Sequence, residues 1–429
     1  MNNIPDFVRT PNPDIYRSGS YVVLDFETTN LSFGSALMPK NRLLLACWTV
    51  VKEGSEVRKY AWGSEYAMQE LVADINSVDF LVAQNAKFEL QWLERCGYDI
   101  GSRPVYDTMV AEWVLAGARH WRFNLDAIAA RYGLGGKDKM ISDMLKGGVS
   151  PEDIPRSMLL RYCLKDVAVT HLIMKRQLQE MEGTRLLPVL YTRCLTTIVL
   201  ADIEGNGIHL DAARVESEYE ETLAKFISVE RELDDMTGGI NPRSGPQVAD
   251  YLYDVLKFKE LRDRQGKPRR TASDKRLTNK EAIAQLVPTT EKQKKFLRLK
   301  ALQGKLNAAL SKNLEFFVAV CREKGGTFLG QINQCRTVTH RLASAGMPMQ
   351  FEAYKKPKSC QFQNLPRQFK GLFTPRNEGW LMAEADGAQL EFRVAGHLGR
   401  DDQVKHDVEN HVDIHKFTAA RLTEAGEPT

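Results

Sequence analysis

The chain has 429 residues, 43% hydrophobic and 27% charged, with a mean hydropathy of −0.36 and a formal net charge of only +4. At about 150 residues per domain this is apolar material for two to four folded domains with their own cores. No apolar run approaches the roughly 20 residues that cross a bilayer, and the N-terminus lacks the basic-then-apolar pattern of a signal peptide, so a cytoplasmic protein without membrane contact is expected.

Up to about residue 185, strand-like and helix-like stretches alternate, an α/β signature. Tyr21–Leu24 is a short β-prone run ending at acidic residues. Arg42–Val51 reads as the next strand and Val78–Ala83 as a buried one, followed at once by a helical pattern from Asn85 to Arg95. From about 187 to 325 the periodicity is mostly helical, broken at Gly205–Gly207 and at Pro242–Pro246. Strands return from about 327: Trp380–Ala385 alternates before a helical stretch from Gln389 to Leu398. No internal repeat is present. The seven cysteines are odd in number, scattered and without a C-x-x-C pair, so reduced thiols are expected rather than a zinc site or disulfide framework.

The charge is unevenly spread. Lys257–Lys305 holds 16 Lys or Arg against 5 Asp or Glu, an excess of +11, which leaves about −7 on the remainder. A basic module beside an acidic remainder fits a polyanion contact on part of the surface, although a solvated helical face produces the same pattern.

Three acidic motifs carry the chemistry. Asp25 and Glu27, two apart on a strand, point to one face. Asn85 and Glu89 are four apart in a helical pattern, as are Tyr162 and Asp166. Singly, each is what a strand edge or a capped helix shows. Together, four carboxylates from a strand and two helices require cations, because bare clustered charge is costly. Two carboxylate-bridged hard cations suit in-line attack on a phosphodiester, one lowering the pKa of the attacking water and one stabilising the leaving 3′ oxygen. Tyr162 would orient that water.

This order of motifs, with Asp107-Thr-Met between the second and third, resembles the DEDD superfamily of 3′–5′ exonucleases in its DEDDy form, over roughly residues 20–180. The resemblance implies an RNase H-like fold, with Asp25, Glu27, Glu89 and Asp166 as ligands of two Mg²⁺ or Mn²⁺ ions and Tyr162 beside them. It also places Asn85 against DNA. Glu89 stands where the superfamily usually has Asp.

The rest of the chain resembles family-A DNA polymerases, the class of bacterial repair and phage replicative enzymes. Leu200–Asp211 is similar to the segment entering the polymerase domain, and Asn241–Gln247 to the turn that starts a thumb helix. The basic module falls where that thumb grips the duplex, so Lys292, Lys294, Lys295 and Arg298 are implied phosphate contacts. Thr337–Ser344 resembles T-x-T-G-R-L-S-S with His340 in place of Gly, which implies that Arg341 touches the primer terminus. Gln363-Asn364-Leu-Pro resembles the L-Q-N-I-P element that follows. Residues 345–362 intervene, an insertion with Lys355, Lys356 and Lys358, expected as a floppy surface loop. Asp386–Glu391 resembles motif A, which implies Asp386 as a metal ligand and Gln389 and Glu391 as nucleotide contacts. His397–Asp401 and Asp413–His415 match later elements.

The implied architecture is an α/β exonuclease domain (1–186), a mainly helical thumb (187–326) and an incomplete α+β palm with the start of the fingers (327–429). The nucleotide-binding helix and motif C do not fall within these residues. The resemblance therefore implies proofreading and binding of primer–template and single-stranded 3′ ends. Use of deoxynucleotide triphosphates is implied only with a further segment or a second chain. The alternatives are a subunit of a split polymerase, active for nucleotidyl transfer only with a second chain, and a DNA-binding remnant silent as a nuclease because of Glu89.

Overall fold

The alternation of residues 21–28 between two apolar environments fixes the first strand. In the computed structural model β1 spans Tyr21–Thr28; Tyr21 and Val23 join one core with Leu45 and Cys47, while Val22, Leu24 and Phe26 join another with Ala46 and Trp48. Burial on both faces requires neighbours on both edges. These are β2 (Leu43–Lys52), β3 (Ser55–Trp62), β4 (Phe80–Ala83) and β5 (Val105–Asp107), in the order β3-β2-β1-β4-β5. β1 pairs antiparallel with β2 and parallel with β4, and β4 is parallel to β5. The structure describes residues 5–423 apart from 31–33, 64, 118, 120, 121, 136–138, 272 and 353.

β1 continues past the apolar run, so Asp25 and Glu27 lie inside the strand rather than beyond it. Their Cα partners on β2 are Cys47 and Leu45. β3 and β5 carry little local signal: the first is a charged, largely exposed edge and the second has three residues. One face of the sheet is covered by the helix Arg156–Glu180 and the other by Glu65–Asn76 and Lys87–Arg95. With Thr108–Ala116, which follows β5, these are named α1 (Glu65–Asn76), α2 (Lys87–Arg95), α3 (Thr108–Ala116) and α4 (Arg156–Glu180).

α5 (Leu186–Asn206) corrects one expectation: by length and composition it is apolar enough to cross a membrane, with a window of mean hydropathy 1.5. Its apolar face is instead used inside the protein, where Leu187, Leu190, Tyr191 and Cys194 enter one core and Ile198 and Ala201 the other.

Helices α6 (Ala212–Thr237), α7 (Glu291–Ala309) and α8 (Glu315–Lys324) follow. Asp211 caps α6 and Gly238 ends it at φ +72°; Thr290 and Gln293 form a reciprocal capping box on α7. A core of edge-to-face rings, Phe316, Phe317, Phe328 and Phe369, lies under a small sheet of β6 (Ile208–Leu210), β7 (Thr327–Phe328) and β10 (Phe373–Thr374). A separate hairpin pairs β8 (Gly330–Asn333) with β9 (Ala343–Gly346).

The insertion is not a floppy loop. Met347, Met349, Phe351 and Cys360 are each at most 5% exposed, and Met349 and Lys358 exchange backbone hydrogen bonds of 2.8 and 2.9 Å. Lys358 reaches Glu315 at 2.8 Å and lies over the Tyr354 ring. Three buried apolar side chains and a thiol hold this segment down.

The chain divides into two compact units, 1–376 and 377–429. The strand expected at Trp380–Ala385 does not form. Leu381 is 93% and Trp380 65% exposed, and no described strand offers them a ladder. A lone strand satisfies its backbone groups with water and gains nothing from extension. Helices α9 (Leu390–Gly399), α10 (Asp402–Glu409, capped by Asp401) and α11 (Ile414–Thr423) do form.

One buried carboxylate ties α2, α5 and β8 together. Glu204, 2% exposed at its side chain, accepts from Lys87 Nζ at 2.6 Å, from Gln91 Nε2 at 2.9 Å and from the Ile332 backbone N–H. Lys87 Nζ also donates to the Ile332 carbonyl at 2.8 Å. Glu204→Ala leaves the Lys87 ammonium buried without its counter-charge, and a loss of about 3–5 kcal/mol is expected, read from urea unfolding midpoints.

Candidate active site and nucleic-acid interface

The strand register delivers Asp25 and Glu27 to the face that α4 covers, since they continue the Tyr21 and Val23 series. α4 meets them with Tyr162, Cys163 and Asp166, all at most 4% exposed. Among the described residues, one group could hold a metal ion: ligand atoms of Asp25, Glu27 and Cys163 lie within 4.8 Å of one another. The Cys163 thiol donates to the Asp25 carbonyl and to its Oδ2, both at 3.4 Å. Burial, the neighbouring Cys47 thiol and the Asp25 and Glu27 charges push the Cys163 thiol well above its ordinary pKa. A close pair of carboxylates with a polarisable third donor fits a divalent cation.

Glu89 on α2 and Asp166 on α4 are 4% and 2% exposed and are not members of that trio. Asn85 does not share a helical face with Glu89. It precedes α2, exposed, with φ +61°. The reason is Asp107. Its carboxylate, 1% exposed, accepts from the N–H groups of Asn85 and Ala86 (3.0 Å each), Met109 (2.9 Å) and Val110 (3.4 Å). It therefore caps α3 and holds the turn into α2 at the same time. Gln177 of α4 donates to the Thr108 carbonyl at 2.9 Å and to Glu112 at 3.0 Å, which ties the third motif's helix to α3.

His340, in the position of a motif glycine, adopts φ +60°, the left-handed region that favours Gly. Its ring stacks on Trp113 of α3 with centroids 3.9 Å apart, and the Arg193 guanidinium lies 5.5 Å from the same Trp ring. Burial and the Arg193 charge hold the His340 pKa below its usual value. Arg341 is exposed on the same turn, its carbonyl accepting from Thr337 Oγ1 at 2.7 Å. Gln363 closes the insertion: its Oε1 accepts from the Ser344 N–H at 2.5 Å and its Nε2 donates to the Leu342 carbonyl at 3.3 Å. Two motif elements far apart in sequence thus lie side by side. Asn364 is exposed and donates to Gln361 at 2.6 Å.

In the second unit Asp386 and Glu391 are exposed, and Asp386 lies in an irregular segment. The helix expected from Gln389 starts one residue later. Gln389 is the residue before α9, at φ +54°, and donates to the Val412 carbonyl at 3.4 Å.

The basic module is partly self-neutralised. Arg270 and Arg276 pair with Glu260, Arg276 also with Asp254, Lys294 with Glu291 and Lys295 with Glu232. Lys292 and Arg298 on α7 are exposed and make no ion pair among the described residues.

Sequence reasoning missed Cys163, Asp107 as a scaffold and Glu204. Cys163 had a signal: it is one residue from Tyr162 and one turn before Asp166 and Val167 on a helix facing the first motif.

A mixed sheet carrying acidic groups on its central strand and on a covering helix makes an α/β domain, joined to a mainly helical region that bears the basic module. The family description "3'-5' exonuclease" matches residues 14–182, and "DNA polymerase family A" matches residues 212–428. The chain belongs to DNA polymerase family A. It is 24% identical over 361 residues to DNA polymerase I of Synechocystis sp., covering 83% of this chain and 34% of that protein. It is 26% identical over 358 residues to DNA polymerase I of Pseudomonas aeruginosa, covering 80% and 36%. Its fold is similar to the POL domain of Pol1 from M. smegmatis in complex with DNA primer-template and dNTP. The TM-score is 0.67 at 18% identity, covering 97% of this chain and 66% of that one. The chain spans about a third of the length of the curated relatives.

Asp107→Asn keeps the Oδ1 acceptor but turns an amide N–H₂ toward the Ala86 N–H. A loss of about 1–3 kcal/mol is expected near neutral pH. Burial pushes the native Asp107 carboxyl up to about 6 from the ordinary 3.8, against the pull of its four N–H donors. The native state therefore keeps a proton that the unfolded chain releases between those values. That contribution is full below about pH 4 and lost as pH rises through about 6. The gap in urea-derived stability between wild type and Asp107→Asn should narrow by up to about 3 kcal/mol across this window.

Lys292→Ala/Arg298→Ala should flatten the plot of log binding constant against log salt by about 1.8 for duplex primer–template, about 0.9 per phosphate contact removed. Fluorescence anisotropy over a salt series reads it.

Proposed function

We propose that this chain is a divalent-metal-dependent 3′–5′ exonuclease joined to a primer–template-binding polymerase region, acting in DNA replication or repair in a bacterial or phage-infected cell. The observation that carries the reading is the convergence of Asp25 and Glu27, on the central strand, with the buried face of α4. Its substrate would be the 3′ end of single-stranded or frayed DNA.

On this reading Asp25 and Glu27 hold the cations, with Glu89 and Asp166 as further ligands, and two Mg²⁺ or Mn²⁺ ions would supply an activated water and charge stabilisation at the leaving oxygen. Tyr162 orients the water. Asn85, held exposed by Asp107, contacts the strand being shortened. Lys292, Lys294, Lys295 and Arg298 would grip duplex phosphates, while Arg341, Gln363 and Asn364 would lie against the primer. In the region 187–326 we place the thumb, with the start of the palm and fingers in 327–429.

Asp386 belongs to no described cluster of three potential ligands. Nucleotidyl transfer requires a pair of palm carboxylates and a clamp on the triphosphate. We therefore assign Asp386, Gln389 and Glu391 a part in nucleotide binding, and no nucleotidyl transfer to these three residues alone.

The test is a gel assay on a 5′-labelled primer–template with Mg²⁺ and all four dNTPs, comparing wild type with Asp25→Ala/Glu27→Ala. Shortening by wild type, slowed by at least about 100-fold in the variant, is expected. No shortening by either protein, with salt-sensitive DNA binding intact, would leave a DNA-binding role alone. Extension abolished by Asp386→Ala would overturn the assignment of nucleotide binding without transfer.

A further inference from the structure

Cys163 brings a soft donor to a centre otherwise made of hard oxygen ligands. Its Sγ is 3.4 Å from Asp25 Oδ2, and both belong to the group of ligand atoms within 4.8 Å that includes Glu27. A tetrahedral zinc ion with bonds of about 2.3 Å to sulfur and about 2.0 Å to oxygen holds those two atoms about 3.5 Å apart. The thiol and carboxylate are thus already at the spacing that one zinc ion would impose. Mg²⁺ gains nothing from the sulfur, because it takes oxygen ligands in near-octahedral geometry. Thiolate ligands favour zinc and its heavier congener cadmium.

We propose that Cys163 Sγ, with the carboxylates of Asp25 and Glu27, forms a mixed thiolate–carboxylate site for a thiophilic divalent cation, zinc in its biological form, in competition with the hard cations. The proposal rests on the reading of this centre as a metal site. Zinc binding releases the Cys163 thiol proton to water, forms the Zn–S bond and involves no change of oxidation state. Two features support the site. Glu27 and Cys163 are 8% and 0% exposed, so a bound ion is screened little by solvent. Cys47, the register partner of Asp25, is fully buried behind Cys163. Buried there, it keeps solvent from that side of the site.

The consequence is a dual response. Low zinc would occupy the centre and block the hard cations, making the exonuclease zinc-inhibited through one thiol.

The experiment uses the full chain in a Cys96→Ser background, which removes the exposed thiol. Cadmium is titrated into this protein and into its Cys163→Ser, Cys163→Ala, Cys47→Ala and Asp25→Ala/Glu27→Ala derivatives, and the ultraviolet thiolate-to-cadmium charge-transfer band is recorded. Cys163→Ser keeps the buried volume, and circular dichroism confirms its fold. The band should form with Cys163 present and be lost in both Cys163 variants. It should weaken when the carboxylates are removed and persist in Cys47→Ala. In parallel, the zinc concentration that halves Mg²⁺-supported primer shortening should rise at least about tenfold in Cys163→Ser. A band of equal intensity without Cys163, or unchanged zinc sensitivity, overturns the proposal. If no protein shortens primer in Mg²⁺, the exonuclease reading fails, and the cadmium band alone still decides the thiol site.

Discussion

The buried Asp107 carboxylate constrains two helices at once, and the candidate centre depends on it. β4 and β5 are parallel, so their C-terminal ends, Ala83 and Asp107, lie side by side on one edge of the sheet. One carboxylate between them takes the N–H groups that open α3 and those of the turn into α2. An uncompensated buried charge there would be costly, yet four donors at that spot leave no orphaned backbone group. The direction of α2, and hence the position of Glu89, follows from an anion that touches neither a proposed ligand nor substrate. Glu204 fixes the same helix from its other side through Lys87 and Gln91 and extends the constraint to β8. The second acidic motif is therefore held between two buried carboxylates, one from the sheet edge and one from α5.

The same helices carry the contacts between the exonuclease-like and polymerase-like parts of the first unit. Trp113 lies on α3, whose start Asp107 caps, and its ring receives His340 from the turn preceding Arg341. Glycine at that position would supply only the left-handed backbone. Histidine supplies a ring as well, at the cost of strain of order 1 kcal/mol in a φ > 0 conformation. The stack against Trp113, with Arg193 beside it, is the compensation the structure offers. Gln363 works similarly at the far end of the insertion, joining elements that residues 345–362 separate.

Local periodicity made part of this legible. β1, β2 and β4 were readable because burial on two faces demands apolar runs, and Asp25 and Glu27 were readable because strand spacing fixes their common face. α4 and its Tyr162–Asp166 spacing were equally plain. The rest depended on partners distant in sequence. β3 is a polar edge that pairs only because β2 precedes it, and β5 is too short to show a period. Asn85 looked helical by spacing, but Asp107, 22 positions later, takes its N–H and pulls it out of the helix. The alternation at Trp380–Ala385 reads as a strand, yet a strand is a property of a pair, and no described segment pairs with it. The lysines of the insertion suggested a loose loop; its Met and Phe residues decided otherwise.

Charge distribution explains how such an acidic centre and a polyanionic substrate are compatible on the proposed reading. Outside the basic module the chain carries about −7, so DNA would be repelled from the candidate centre unless cations neutralise Asp25 and Glu27. Exposed side chains such as Lys292 and Arg298, by contrast, can supply affinity without metal. Binding and cleavage would then be separable: salt weakens the first, chelation the second. A thiol among the carboxylates would sharpen that separation, because the identity of the cation, and not only its presence, would decide whether a bound 3′ end is cut.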